Sequence, residues 1–247
     1  MELKNGDCLE LMKEIPNNSI DMILCDLPYG TTSCKWDIII PFDLLWEQYK
    51  RIIKENGAIA LFSKQPFTSF LIQSNLKWWR YELIWEKEKG TDFGNSNRKP
   101  LNAHESIQLF YKKQPTYNKQ MRPGEPYIIN RKKNNNNNED LNFKSDNRGL
   151  YVNKGERTPI SVIKISRDNI TKGSSFHPTQ KPVKLCEWLI KSYTNEGDVV
   201  LDNCMGSGST GIACVNTNRK FIGYELNKEY FEIAKKRIED AKIKLTK

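Results

Sequence analysis

The chain has 247 residues, 38% of them hydrophobic and 28% charged, and its 39 Lys+Arg against 30 Asp+Glu give a formal net charge of +9. That length suits one large α/β domain or a domain carrying an insertion, and apolar runs such as "DMILC" and "DIIIPF" fall far short of the roughly 18 residues a membrane span needs. "MELKNGDCLE" has no signal-peptide pattern, and six cysteines without a CxxC spacing argue against a zinc site and for a reducing cytoplasm.

In chain order, Ile20, Met22, Ile23 and Leu24 make a short continuous apolar run, which predicts a buried parallel strand. It ends on Asp26, Leu27, Pro28 and Tyr29: an acid, a rigid turn and a flat ring. Phe42, Leu45, Trp46, Tyr49, Ile52 and Ile53 recur at helical spacing, and Gly57 is expected as the C-terminal cap. "AIALFS" predicts a second buried strand, "PFTSFLIQSN" a short helix, and "YELIWEK" and "SIQLFYK" two further strands. Beyond residue 112 the alternation stops. Residues 113–176 are rich in Asn, Lys, Pro and Gly, include the run "NNNNN" at 134–138, and contain one predicted strand, "TPISVIKIS". Alternation resumes at Lys184 with helix "KLCEWLIKSYT", strand "DVVLDNC", helix "STGIACVNTN" and strand "RKFIGYEL". In the last helix Asn227 is a natural N-cap, and Phe231, Ala234, Ile238 and Ala241 share one face. The expected organisation is an N-terminal half (1–112), a basic loop-rich insertion (113–176) and a C-terminal half (177–247).

The charge is concentrated. Residues 112–172 hold 14 Lys/Arg and 6 Asp/Glu, against 25 and 24 in the rest of the chain. A basic segment beside a neutral body is the footprint of a nucleic-acid partner or a solvated lysine-rich surface; charge alone leaves both readings open.

Two loops carry chemistry. In "VVLDNCMGSGSTG" a buried strand ends at Asp202, a turn with Gly206 and Gly208 follows, and a helix begins near Ser209. Glycines there let the backbone approach a ligand that the helix N-terminal amides face. The next strand ends at Glu225, where an acid can accept hydrogen bonds from ribose hydroxyls, so the unit reads as a nucleoside half-site. Gly206, Gly208 and Gly211 also satisfy GxGxxG. A NAD-linked oxidoreductase would need several more strand–helix units after the acid, and only about 20 residues remain. The rest of the sheet must come from the N-terminal half, which puts Asp26–Tyr29 and the 202–208 loop at one carboxyl edge. An acid and a ring facing a bound nucleoside suit methyl transfer to the exocyclic amine of a base: the ring stacks on the planar acceptor and the carboxylate accepts a hydrogen bond from the amine.

Those residues carry a resemblance. "DLPY" resembles the Asp/Asn/Ser-Pro-Pro-Tyr/Phe/Trp signature of amino-methyltransferases, "DNCMGSGSTG" their S-adenosylmethionine loop (usually close to DPFxGSGTT), and "HPTQKP" (177–182) the adjoining cofactor motif. With "RKPLNAHESIQLFYKKQPTYN", their order is similar to that of β-class DNA N6-adenine/N4-cytosine methyltransferases of phage and prophage type. The resemblance implies a doubly wound, mostly parallel, Rossmann-like α/β sheet, circularly permuted, with a basic target-recognition insertion, in a cytoplasmic protein of bacterial, phage or prophage origin. It implies transfer from S-adenosylmethionine to N6 of a flipped-out adenine in double-stranded DNA, with N4-cytosine methylation or an inactive DNA-binding protein as alternatives. Asp26 and the Leu27 carbonyl would hold the amine, Pro28 stiffen the turn and Tyr29 stack on the base. The cofactor would be held by Asp7, Cys8, Asp26, His177, Thr179, Gln180, Lys181, Pro182, Asp202, Cys204, Gly206, Gly208, Ser209, Thr210, Glu225 and Leu226. Lys112, Lys113, Arg122, Arg131, Lys132, Lys133, Arg148 and Arg157 are the candidate phosphate contacts, and no metal is implied. Trp36, Asp37 and His104 read either as packing residues or as contacts to substrate. A homodimer and a cognate restriction endonuclease are the protein partners the analogy leaves open. Three departures stand out: Leu27 replaces a proline, Asn203 and Cys204 replace Pro and Phe, and Ser209 replaces Thr.

Overall fold

In the computed structural model, residues 1–31, 37–131, 149–166 and 180–245 are described, with the side chain of Arg131 excepted. They form two units, Met1–Asn118 with Ser161–Lys247, and Lys119–Ile160.

The larger unit runs β1 (Glu2–Asn5), α1 (Cys8–Met12), β2 (Ile20–Cys25), α2 (Phe42–Ile52), β3 (Ile53–Ser63), α3 (Phe67–Ser74), β4 (Trp79–Thr91) and β5 (Asn102–Phe110). The smaller unit contributes β6 (Arg122–Pro123), β7 (Tyr127–Arg131), β8 (Gly149–Asn153) and β9 (Glu156–Arg157). The larger unit resumes with β10 (Val162–Lys164), α4 (Val183–Tyr193), β11 (Val199–Asp202), α5 (Ser209–Asn216), β12 (Lys220–Glu225) and α6 (Lys228–Leu245).

One eight-stranded sheet has the order β1-β12-β11-β2-β3-β5-β4-β10. It is parallel from β1 through β3, antiparallel across β3–β5–β4, and parallel again where β10 joins β4. The pleat explains the unbroken apolar runs. Met22 and Leu24 point into a core shared with Leu185, Leu189, Ala213 and Cys214, while Ile23 and Cys25 point into an opposite core with Leu45, Tyr49 and Phe67. A strand buried on both faces has no polar face to alternate. β2 and β11 are neighbours, with Val200 opposite Met22 and Leu201 opposite Ile23. From that seam the sheet grows through β3 on one side and β12 on the other, which opens a crevice beyond the carboxyl ends of the two strands.

Gly57 does not cap α2. The helix stops at Ile52 because Ile53 is buried opposite Ile20 and starts β3; the register then shifts so that Ala58 faces Met22. Gly57 lies inside that shift, where a Cβ would stand 2.7 Å from Ile53 and 2.9 Å from the Asp21 carbonyl. Within "TPISVIKIS" only Val162–Lys164 pairs, as an edge strand on β4. β1, polar and half-buried, lies at the opposite edge against β12; it has no apolar pattern to announce it.

In the smaller unit β6 pairs with β9 and β7 with β8, both antiparallel. Arg157 fastens it: its guanidinium donates to Asn153 Oδ1 at 2.6 Å and to the Glu125 carbonyl, and lies 4.7 Å from the centre of the Tyr127 ring. Ile128, Ile129, Leu150 and Val152 are exposed on the β7–β8 pair.

Candidate active site

β11 delivers Asp202 to the crevice, where its side chain is buried and accepts a hydrogen bond from Cys204 N at 3.1 Å. Burial pushes this carboxyl up to about 7. The turn that follows needs glycine twice. Gly206 and Gly208 adopt φ of +51° and +82°, in the left-handed region that L side chains avoid. A Cβ at Gly208 would also stand 3.0 Å from that of Ala234 in α6, whereas at Gly206 nothing lies within 4 Å. Glu225, at the end of β12, clamps this loop: its carboxylate accepts from Gly206 N at 2.9 Å and from Asn227 N at 2.8 Å, and burial raises its pKa. At the start of α5 the Ser209 hydroxyl is buried without a hydrogen-bond partner among the described residues.

β2 delivers Asp26. Tyr29 Oη donates to Asp26 Oδ1 at 2.6 Å and the Lys181 ammonium donates to Oδ2. The Tyr29 ring packs 5.0 Å from that of Phe67, and its hydroxyl pKa is raised by burial and by Asp26. Leu27 is buried in the core formed with α2 and α3, so side-chain burial restrains the turn. Asp37 accepts from Gly30 N at 2.8 Å and Thr31 N at 2.9 Å and holds the chain leaving the turn. Asn203 accepts from the buried Tyr49 hydroxyl at 2.5 Å and joins the loop to α2.

Lys181 is 7% exposed and also pairs with Glu105 at 3.2 Å; Glu105 in turn pairs with Lys87, itself 8% exposed. Burial alone would lower the Lys181 pKa, but Asp26 and Glu105 raise it overall. Burial alone would raise that of Glu105, but Lys181 and Lys87 lower it. Sequence reading passed over Lys87 and Glu105. A signal existed: Leu83, Trp85 and Lys87 share one face of β4, and Glu105, Ile107 and Leu109 one face of β5, so each strand ends an apolar stripe on a charge, with Glu105 opposite Trp85 and Lys87 two residues beyond it.

These groups line one cavity of about 650 Å³ in the larger unit. Asp7, Cys8, Asp26, Leu27, Pro28, Tyr29, Gln180, Lys181, Pro182, Asp202, Cys204, Gly206, Ser209, Thr210, Glu225 and Leu226 all reach its wall, as do Lys87 and Glu105. Gly208 packs against α6 instead. Asp7 is both lining residue and N-cap of α1, accepting from Leu9 N at 2.8 Å. Ser207 Oγ donates to Gln180 Oε1 at 3.3 Å, which ties the 180–182 segment to the glycine loop. Trp36, Lys132, Lys133, Arg148, His177, Thr179 and the Arg131 side chain lie outside the described residues. Among the other basic candidates, Lys112 and Lys113 pair with Glu55 at 3.4 and 3.1 Å, and Arg122 reaches the Thr158 carbonyl at 3.3 Å. His104 is exposed on β5, opposite Glu86.

The family model described as DNA methylase, N6_N4_Mtase, matches residues 20–236. The chain belongs to this DNA methyltransferase family. The methyltransferase is 29% identical over 251 residues to the Type II methyltransferase M.HpaI of Haemophilus parainfluenzae, covering 95% of this chain and 73% of that one. It is 28% identical over 267 residues to M.HinfI of Haemophilus influenzae, covering 96% and 68%. Its fold matches a crystal structure of an M1.HpyAVI–SAM complex with a TM-score of 0.65 and 25% identity, over 96% of this chain and 98% of the other. The PvuII cytosine-N4-specific DNA methyltransferase shares the fold at a TM-score of 0.69 and 16% identity, over 98% and 91%. Among the methyltransferase's described residues no helix is long and apolar enough to cross a membrane, and no group of three or more His, Cys, Asp or Glu could hold a metal ion.

The site fits S-adenosylmethionine on its own features. The unpartnered Ser209 hydroxyl, the open space over Gly206 and the Glu225 carboxylate border one cavity with both apolar and polar walls.

Proposed function

We propose that this DNA methyltransferase transfers the methyl group of S-adenosylmethionine to the exocyclic N6 of an adenine turned out of duplex DNA. The observation that carries the reading is the shared cavity: Asp26, from the first half of the chain, and Glu225 with the glycine loop, from the last, border the same space. When bound, S-adenosylmethionine supplies an electrophilic methyl group. Glu225 would offer acceptors for ribose hydroxyls, Asp7 and Cys8 would wall the purine end, and Asp202, Gly206, Ser209 and Thr210 would hold the amino-acid end. His177 and Thr179 complete the cofactor pocket on the same reading.

The N6 lone pair of adenine is delocalised into the ring, so the amine is a weak nucleophile until it is turned. Asp26 and the Leu27 carbonyl accept hydrogen bonds from its two N–H groups and direct the freed lone pair, while Tyr29 presents its ring to the base. Orientation and fixed charge supply the catalysis, and no covalent enzyme intermediate is needed. Because N6 is engaged in base pairing, the adenine must leave the stack first. The basic segment holds the duplex, with phosphate contacts from Lys112, Lys113, Arg122, Arg131, Lys132, Lys133, Arg148 and Arg157. Such an activity on chromosomal or phage DNA belongs in a bacterial cytoplasm, beside a restriction endonuclease if it serves modification.

Incubating purified protein with duplex DNA and radiolabelled S-adenosylmethionine, then digesting the DNA to nucleosides, tests the reading. N6-methyl-2′-deoxyadenosine is the expected labelled product. Label in N4-methyl-2′-deoxycytidine would correct the base, and unlabelled DNA would overturn the function.

A further inference from the structure

The charge network behind Asp26 is larger than holding one amine requires. Lys87 on β4, Glu105 on β5 and Lys181 ahead of α4 continue inward from Asp26 as alternating charges. Burying each ion costs several kcal/mol, and replacing buried pairs with apolar side chains is often neutral or stabilising. Stability is therefore a poor reason for the network, and geometry offers a better one.

Asp26 stands in the turn beyond β2, and Lys181 stands in a loop segment; neither belongs to a strand or helix. Lys87 and Glu105 belong to adjacent antiparallel strands inside the eight-stranded sheet. The Lys181 ammonium is confined further by the rings of Phe62, 5.1 Å away, and Tyr29, 5.9 Å away, and Lys87 lies 5.3 Å from the centre of the Trp85 ring. Glu105 Oε2 stands 3.2 Å from the Lys181 ammonium, which at the same time donates to Asp26, so one cation is held between the two carboxylates.

We propose that Glu105 is a positioning residue for methyl transfer: anchored by Lys87 on the rigid sheet, it places Lys181 against Asp26 and thereby sets the carboxylate that receives the amine. This rests on the N6-methylation reading above. Supporting groups of this kind govern how sharply an active-site geometry is held, so losing Glu105 acts on the rate of transfer and leaves cofactor affinity in place. The lowered Glu105 pKa and the raised Lys181 pKa agree with a network of full charges.

The test compares wild type, Glu105→Gln and the charge-balanced double variant Lys87→Met/Glu105→Gln. Single-turnover methyl transfer to duplex DNA, Kd for S-adenosylmethionine and the thermal midpoint are measured for each. Glu105→Gln is expected to slow transfer about tenfold or more with the cofactor Kd within about threefold of wild type. The double variant, which leaves no lone buried charge, is expected to regain most of the thermal midpoint while transfer stays slow. Transfer by the double variant within about twofold of wild type overturns the proposal, as does a rate loss that merely follows the fraction unfolded or the loss of cofactor affinity. Should the double variant fail to fold, Glu105→Gln is judged by the same split of rate against affinity. Wild type keeps the two readings apart: no transfer by wild type removes both, whereas normal transfer by wild type and by the double variant removes only the role of Glu105.

Discussion

Asp26 holds a donor on each carboxylate oxygen, the Tyr29 hydroxyl on one and the Lys181 ammonium on the other. Replacing it with Asn keeps the shape and removes the charge. Asp26→Asn is expected to lower methyl transfer roughly a hundredfold or more while cofactor affinity, read by calorimetry, changes only a few-fold; near-normal transfer would refute its part. Asp202 supports a second prediction. Its carboxyl is raised from 3.8 to about 7 by burial, so between those values the folded state binds a proton that the unfolded state has released. The stabilisation is complete below pH 3.8 and is lost as pH rises through 7. Glu225 acts in the same sense and Glu105 in the opposite one. Denaturant unfolding of the cofactor-free protein at pH 5 and pH 8 is expected to show wild type losing roughly 2–3 kcal/mol relative to Asp202→Asn across that interval. A pH-independent difference between the two proteins would contradict it. Asp26, Tyr29, Gly206 and Glu225 were legible because each stands at the tip of a strand whose apolar run points to it. Lys87 and Glu105 were not, because their meaning depends on a partner in another strand.

α5 packs closely on α6 and β12, and Gly211 is the reason it can. A Cβ there would meet Ile238 Cδ1 and stand 2.8 Å from Phe221 Cε1. Gly211→Ala is expected to cost about 1–3 kcal/mol through overpacking, seen as a lower thermal midpoint, and to leave the single-turnover rate of the folded fraction near wild type. The GxGxxG spacing thus joins two tasks in one stretch: Gly206 and Gly208 shape the turn, while Gly211 seats the helix. At this scale helices were read well from apolar spacing, and Asn227 caps α6 as its position indicates, accepting from Glu229 N at 2.9 Å. The end of α2 was misread at Gly57, since a glycine serves equally for a helix cap and for close approach between strands. Only the pairing of Ile53 with Ile20 decides between them.

For the whole molecule, function rests on the seam between β2 and β11, which brings both halves of the chain to one crevice. On the proposed function, the basic segment supplies the long-range attraction to DNA. With about six phosphates neutralised, affinity for duplex DNA is expected to fall on the order of a thousandfold between roughly 50 and 200 mM salt. Replacing Arg131, Lys132 and Lys133 with Gln should flatten the slope of log affinity against log salt by about 0.9 for each phosphate left unneutralised; an unchanged slope would remove these three from the interface. A second compact unit spans Lys119–Ile160, whereas Val162–Lys164, also within the basic stretch, pairs with the main sheet.

By itself the sequence determined the local elements: strands from unbroken apolar runs, helices from their spacing, and the chemistry at the strand tips from the few residues that end them. These signals lie within a dozen neighbouring residues, where backbone periodicity and turn preferences act directly. Tertiary structure alone decided that Lys181 grips an aspartate 155 positions away, and that Glu105 and Lys87 stand behind it. Opposite charges find one another in a protein interior only after strand order has been settled by burial of the sheet as a whole, and no short stretch of chain encodes that order.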